Sequence, residues 1–200
     1  MKFNKKDILV ISIALIGLIV SVLALQGVEE IPTHININGE IDGYGSPIFL
    51  YVMWLLPIGI IVLMNLFAKM KEEVNIKYTI ATFFILINII FFNMAISLKA
   101  PDLGDFALLI GGLLIVLGYQ SKGVKINCHT GFKTPWSIKD EDNWNYTNYI
   151  GGNLMMLNGV IIIIFSNYFM YTIILMILTA VIIPFYLSYR FDKNKRDNLK

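Results

Sequence analysis

Two groups of residues in this chain are of types that could do chemistry. The segment 26–47 holds His34 among four acids, Glu29, Glu30, Glu40 and Asp42. Imidazole and carboxylate can bind metals. One His with acids at irregular spacing, however, lacks the convergent donor set of a zinc site. The acids read instead as a water-facing lid. Cys128-His129 pairs a soft nucleophile with a base. No second soft ligand is near it, and no Ser or Asp is spaced to complete a triad. There is no Walker-type loop, no HExxH and no Gly-x-Ser-x-Gly. Catalysis, a metal, a cofactor and direct nucleic-acid binding are therefore not expected. The chemistry left to these segments is recognition.

The elements that must position them are set by composition. Hydrophobic residues are 56% of the 200-residue chain and charged residues 15%, with a mean hydropathy of +0.68. Soluble domains carry about 25% charged residues, so an ordinary soluble globule is excluded, and disorder with it. One cysteine excludes a disulfide scaffold. Six runs free of Asp, Glu, Lys and Arg remain: 8–25, 48–68, 78–98, 106–119, 150–165 and 168–189. A helix needs about 20 apolar residues to cross the hydrocarbon. The second, third and sixth runs meet that and the first is adequate. The fourth reaches span length only if it starts at Leu103 and takes in Asp105, and the fifth is also short. A transmembrane barrel would need alternating ~10-residue segments, and these runs do not alternate. The first run is longer than a signal core of about 7–15 residues, so it reads as a retained helix. The expectation is a single all-α integral membrane domain over residues 1–200, a bundle of six transmembrane helices in a lipid bilayer.

The basic residues orient it. Assigning connections alternately to two sides puts Lys2, Lys5, Lys6, Lys69, Lys71, Lys77, Lys122, Lys125, Lys133, Lys139, Arg190, Lys193, Lys195, Arg196 and Lys200 on one side and only Lys99 on the other. The positive-inside rule makes the first side cytoplasmic, with both termini inside. The segment 26–47 is then extracellular and the long polar segment 120–149 cytoplasmic.

The outer segment alternates polar and apolar residues from Thr33 to Asn38, as a half-buried strand would. Asn38-Gly39 is a hairpin signal. Glu40-Ile41-Asp42 suits the return strand, Gly43 and Gly45 suit a bend, and Pro47 suits the first turn of the second span. A small β-hairpin lid is expected. The ligand-facing residues would be Pro32, His34, Asn36, Asn38, Gly39, Glu40, Asp42 and Gly43. An open strand edge there could pair with an extended peptide, and the acids would favour a cationic one.

In the inner segment Gly131 and Pro135 punctuate a turn. Ser137 followed by Asp140 resembles a capping box, so a helix is expected from about Ile138 into the fifth span. Trp136, Trp144, Tyr146 and Tyr149 suit a headgroup-level aromatic belt. An interfacial elbow results, with Lys133 and Trp136 presented near the turn for a cytoplasmic partner.

These two segments resemble the SdpI family of membrane immunity proteins against the sporulation-delay toxin. Gly131-Phe132-Lys133-Thr134-Pro135-Trp136-Ser137, followed by Trp144, Asn148, Gly151 and Gly152, is similar to that family's Gly-x-Arg-Thr-Pro-Trp-Thr signature. Lys133 stands for Arg and Ser137 for Thr, and Lys cannot reproduce a bidentate Arg contact. Ile31-Pro32-Thr33-His34 with Asn36, Gly39, Asp42 and Gly43 resembles the family's N-terminal domain of unknown function. The resemblance implies a six-span bacterial plasma-membrane protein that protects its producer from a secreted membrane-active peptide toxin. It also implies signalling, in which the protein holds a cytoplasmic transcriptional repressor at the membrane. The competing reading is a small transporter or permease. Carriers usually keep ionisable groups at bilayer depth, whereas these runs offer only neutral groups such as Asn65, Asn88, Asn93, Asn153 and Asn158.

Overall fold

The computed structural model describes residues 3–36, 38–66, 74–127 and 130–198. Six helices are long and apolar enough to cross a membrane: Lys5–Ala24, Ile48–Leu66, Ile76–Ser97, Leu103–Ser121, Glu141–Ile164 and Ser166–Asp197. Many of their large apolar side chains face outward, Ile16, Leu23, Val52 and Ile164 among them. Such faces are costly in water and are at home among lipid tails. The chain is a multi-pass membrane protein. The fourth helix does begin at Leu103 and holds Asp105 in its first turn, where a carboxylate suits the positive end of the helix dipole. The fifth gains length from polar residues 141–149 at its start.

The chain forms two compact units, Met1–Leu109 and Ile110–Lys200. In the first, α1 (Lys5–Ala24) is followed by strands β1 (Ile31–Ile35) and β2 (Ile41–Gly45), then α2 (Ile48–Leu66) and α3 (Val74–Ser97). Asn4 and Asp7 form a reciprocal capping box at the start of α1. The core of this unit gathers Ala14, Leu25, Ile31, Leu50, Trp54, Ile85 and Ala95. Gly17 lets the Trp54 ring lie directly on the backbone of α1, and the Trp54 indole N–H donates to Ser21 Oγ at 2.9 Å.

Pro57 lies inside α2 and has no N–H for the carbonyl four residues earlier, Met53. The buried Asn88 of α3 donates Nδ2 to that carbonyl at 3.1 Å and to Phe84 O at 2.8 Å. A side chain of one helix thus supplies the bond that proline removes from another.

The fourth helix, α4 (Leu103–Ser121), carries the chain into the second unit. A short 3-10 turn (Ser137–Lys139) precedes α5 (Glu141–Ile164). Then come a 3-10 turn (Ser166–Tyr168), α6 (Phe169–Ile177), a widened π turn (Leu178–Ile182) and α7 (Ile183–Asp197). The π turn sits just before Pro184, which cannot join a regular ladder. Within this unit α4 and α5 meet backbone to backbone. A Cβ on Gly111 would lie 2.5 Å from Gly159 O, and one on Gly118 would lie 2.5 Å from Gly152 O. Only glycine allows that approach, a seam typical of helices in lipid. Asn158 of α5 donates to Thr179 Oγ1 at 2.8 Å and ties the π turn to it.

Candidate functional site

Each unit holds one of the two segments singled out by sequence. In the first unit, β1 and β2 pair antiparallel, with Ile31 opposite Gly45, Pro32 opposite Tyr44, His34 opposite Gly43 and Ile35 opposite Ile41. The tip is built around one side chain. Asn36 Oδ1 accepts the backbone N–H groups of Asn38 and Glu40, both at 2.9 Å. Asn36 Nδ2 donates to Glu40 at 3.1 Å, and Gly39 turns the chain at φ +82°. Ile31 and Pro32 are buried in the core, and β1 lies against α3. Glu29, Glu30, Asn38, Glu40, Asp42 and Tyr44 are exposed.

The strands differ from the expected ones. Gly43 and Gly45 do not bend the chain but lie inside β2, because the partner strand crowds them. A Cβ on Gly43 would stand 2.7 Å from His34 Cβ, and one on Gly45 3.3 Å from Thr33 Cγ2. His34 Nδ1 is 2.5 Å from Asp42 Oδ1 across the strands, so the imidazole meets one carboxylate. Among the described residues, no three of His, Cys, Asp and Glu gather as metal ligands would. Cys128 and His129 lie outside the described residues.

In the second unit the signature segment folds back on α5. Gly131 takes φ +92° with its Cα against Asn148 Oδ1. The next N–H, that of Phe132, donates to Asn148 Oδ1 at 2.7 Å, and Asn148 Nδ2 donates to Trp144 O at 3.0 Å. The Phe132 ring lies on Gly151, where a Cβ would be 2.5 Å from it. Gly152 faces α4. Thr134 and Ser137 then cap one another, each N–H donating to the other's hydroxyl at 2.9 Å. Thr134 Oγ1 is also 2.5 Å from Ser188 Oγ on α7. Ser188 Oγ donates to Asn143 Oδ1 at 2.8 Å, Asn143 Nδ2 donates to Ser188 O at 3.0 Å, and Thr147 Oγ1 donates to Asn143 Oδ1 at 2.9 Å. All five of these polar side chains are buried. Their mutual bonds offset the cost of removing them from water.

Two expectations change here. The N-cap of α5 is Asp140, not Ser137, and the helix begins at Glu141. Asp140 accepts from the N–H groups of Asp142 and Asn143, while the Ser137 hydroxyl is committed to Thr134. Trp144 does not belong to an aromatic belt. It is fully buried, and its indole N–H donates to Val124 O at 2.6 Å. Trp136 is half-buried between Phe185 and Tyr189 of α7, with ring centroids 5.1 Å apart in both cases. Gly131, Lys133 and Pro135 are exposed. Lys195 of α7 reaches Asp140 at 2.6 Å and Asp142 at 3.2 Å. That ammonium, with the two N–H donors, holds the Asp140 carboxyl below the usual carboxylate range.

Several members of these networks went unnoticed in sequence. Asn143, Thr147 and Ser188 complete the elbow's polar core. The signal for the first two was present: Asn143, Thr147, Asn148, Gly151 and Gly152 recur at helical spacing on one face of α5. At the start of α1, the buried Asp7 and Lys77 form a cluster with the half-buried Asn65 and Tyr78. Lys77 Nζ is 2.6 Å from Asp7 Oδ1 and 2.7 Å from Asn65 Oδ1. Asn65 Nδ2 and the Tyr78 hydroxyl donate to Asp7 at 3.1 and 2.9 Å. This cluster joins the start of α1, the end of α2 and the start of α3.

Residues 123–188 match the model of the SdpI/YfhL protein family, and residues 12–61 match that of a domain of unknown function, DUF1648. The chain is 25% identical to the immunity protein SdpI of Bacillus subtilis (strain 168), across 94% of this chain and 97% of that protein. It is 35% identical to the uncharacterized protein YfhL of the same organism, across 36% of this chain and 73% of that protein. No solved structure matches it. The first family match falls inside the second unit, and the second inside the first.

Proposed function

Because the chain belongs to the SdpI/YfhL family, we propose that it is an immunity protein of a bacterial plasma membrane, protecting the cell from a secreted membrane-active peptide toxin. The observation that carries this reading is the likeness to an immunity protein through both units rather than through the signature alone. In this reading both termini and the elbow are cytoplasmic, as the basic residues favour. The acidic hairpin is outside, where a secreted peptide first arrives. The protein works by binding and catalyses nothing.

The elbow is the inner contact. Its buried residues, Thr134, Ser137, Trp144, Asn148, Gly151 and Gly152, hold the loop in one conformation. Lys133 and Pro135 stand on its surface and Trp136 along its edge, facing a cytoplasmic partner such as a transcriptional repressor. Two of the polar groups a carrier reading would draw on are already used. Asn88 and Asn158 are spent on bonds between helices, the usual role of Asn in lipid.

The test is toxin challenge of a sensitive strain that expresses the protein. Wild type should raise the inhibitory toxin concentration. Pro32→Ala should weaken protection through the hairpin and Trp136→Ala through the elbow. Full protection by both variants would overturn the assignment of these segments.

A further inference from the structure

We propose that the outer edge of β2 is a docking strand, and that its occupant is an extended cationic segment of the toxin peptide, paired to it as a third strand. This rests on the immunity reading and specifies how the hairpin would recognise its ligand.

A two-stranded sheet leaves each strand with one unpaired edge. The two edges here are not equivalent. β1 lies against α3, buries Ile31 and Pro32, and lacks a backbone donor at Pro32. β2 carries no proline, and among the described residues no backbone group outside the hairpin pairs with residues 41–45. The hairpin is also held in shape before any ligand arrives. Its tip is tied by Asn36, and its base by Ile31 in the core. A preformed strand loses little freedom on pairing, which favours an edge that binds over one that merely frays.

The side chains name the occupant. Asp42 and Tyr44 flank Gly43 in β2, and both are exposed. Glu40 precedes them, Glu29 and Glu30 precede β1, and 26–47 contains no Lys or Arg. The Asp42 carboxylate meets His34 through Oδ1 alone. A third strand with several basic residues would set one beside Asp42 and another over the Tyr44 ring, giving an ion pair and a cation–π contact. Five strand residues match a segment of the same length, roughly 17 Å of extended chain. An acidic ligand would not satisfy the carboxylates, and a helical one would not satisfy the backbone edge.

The test uses the full-length protein in nanodiscs of zwitterionic lipid, with empty nanodiscs as background. The probes are a ten-residue peptide alternating Lys and Val, its Glu–Val counterpart, and two N-methylated forms of the first, one blocked at every Lys amide and one at every Val amide. Methylation keeps the charge and removes donors from one side of the strand. The Lys–Val peptide should bind and the Glu–Val peptide should not. One methylated form should bind about tenfold more weakly than the parent, and the other should bind more nearly like it. Glu40→Gln with Asp42→Asn should weaken the parent peptide by about tenfold as well. The inference is overturned if both methylated forms bind as tightly as the parent, if the double variant binds unchanged, or if the parent binds no better than to empty nanodiscs. Wild-type protection against toxin, measured in parallel, separates the two readings. Protection with any of those overturning results removes the docking strand and leaves the immunity role. No protection removes the immunity role.

Discussion

The Lys77 ammonium sits 2.6 Å from an Asp7 carboxylate oxygen, and both side chains are closed off from solvent. They come from the first turns of α1 and α3, and Asn65 at the end of α2 bonds both of them. Desolvating two charges costs several kcal/mol, offset only when the remaining donors and acceptors are satisfied. Here Asn4, Asn65 and Tyr78 satisfy them. Lys77→Ala or Asp7→Ala should therefore cost about 3–5 kcal/mol, because each leaves one buried charge alone. The double variant should cost less than the sum of the two. Thermal denaturation of the detergent-solubilised protein, run as a double-mutant cycle, measures this.

Asn88 and Pro57 are coupled through the Met53 carbonyl. Asn88→Leu should lower stability by about 1 kcal/mol in the native chain. In a Pro57→Ala background the helix supplies its own N–H to Met53, and the same substitution should cost markedly less. Equal costs in the two backgrounds would show that the Asn88 bond does not replace the one proline removes.

Glycines divide by what surrounds them. Gly159→Val sets a side chain against Gly111 O and Ile115 and should destabilise the second unit by at least 2–3 kcal/mol, the range of an overpacked core. Gly112→Ala and Gly59→Ala meet nothing within 4 Å and should be close to neutral or slightly stabilising, since alanine is the better helix former. Yields of folded protein after solubilisation distinguish these cases.

Asp140 makes stability depend on pH. Its folded pKa is lowered, chiefly by Lys195, so its contribution is present above the unfolded value of about 3.9 and is lost as pH falls through the folded value. Unfolding temperature should drop as pH is lowered below about 4. Lys195→Met should flatten that dependence, which a titration of unfolding temperature from pH 6 to pH 3 would read.

The six spans were readable because lipid demands about 20 apolar residues in a row, a signal local to each helix. The hairpin was readable from Asn38-Gly39, whose turn chemistry is also local, although β1 starts at Ile31 and ends at Ile35 rather than spanning Thr33 to Asn38, and β2 runs on to Gly45. Residues 43 and 45 looked like a bend because glycine permits one. Only the partner strand reveals that glycine is there for lack of room. Trp144 looked like an interfacial anchor by residue type, and its buried bond to Val124 depends on a loop twenty residues away. The Asp7–Lys77 pair was hidden for the same reason. Charges flanking apolar runs read as orientation signals, and nothing local says that two of them, seventy residues apart, meet inside the protein. What the sequence conveys poorly is which polar groups find each other.

The central claim, that this protein shields the membrane from a secreted peptide, is tested most directly by membrane potential. Cells of a toxin-sensitive strain, with and without the protein, would be loaded with a potential-sensitive dye and exposed to increasing doses of the sporulation-delay toxin. The account predicts that cells expressing the protein keep their potential at doses that depolarise the control, and that Pro32→Ala narrows the difference. Depolarisation at the same dose in both strains, with the protein present in the membrane, would contradict it.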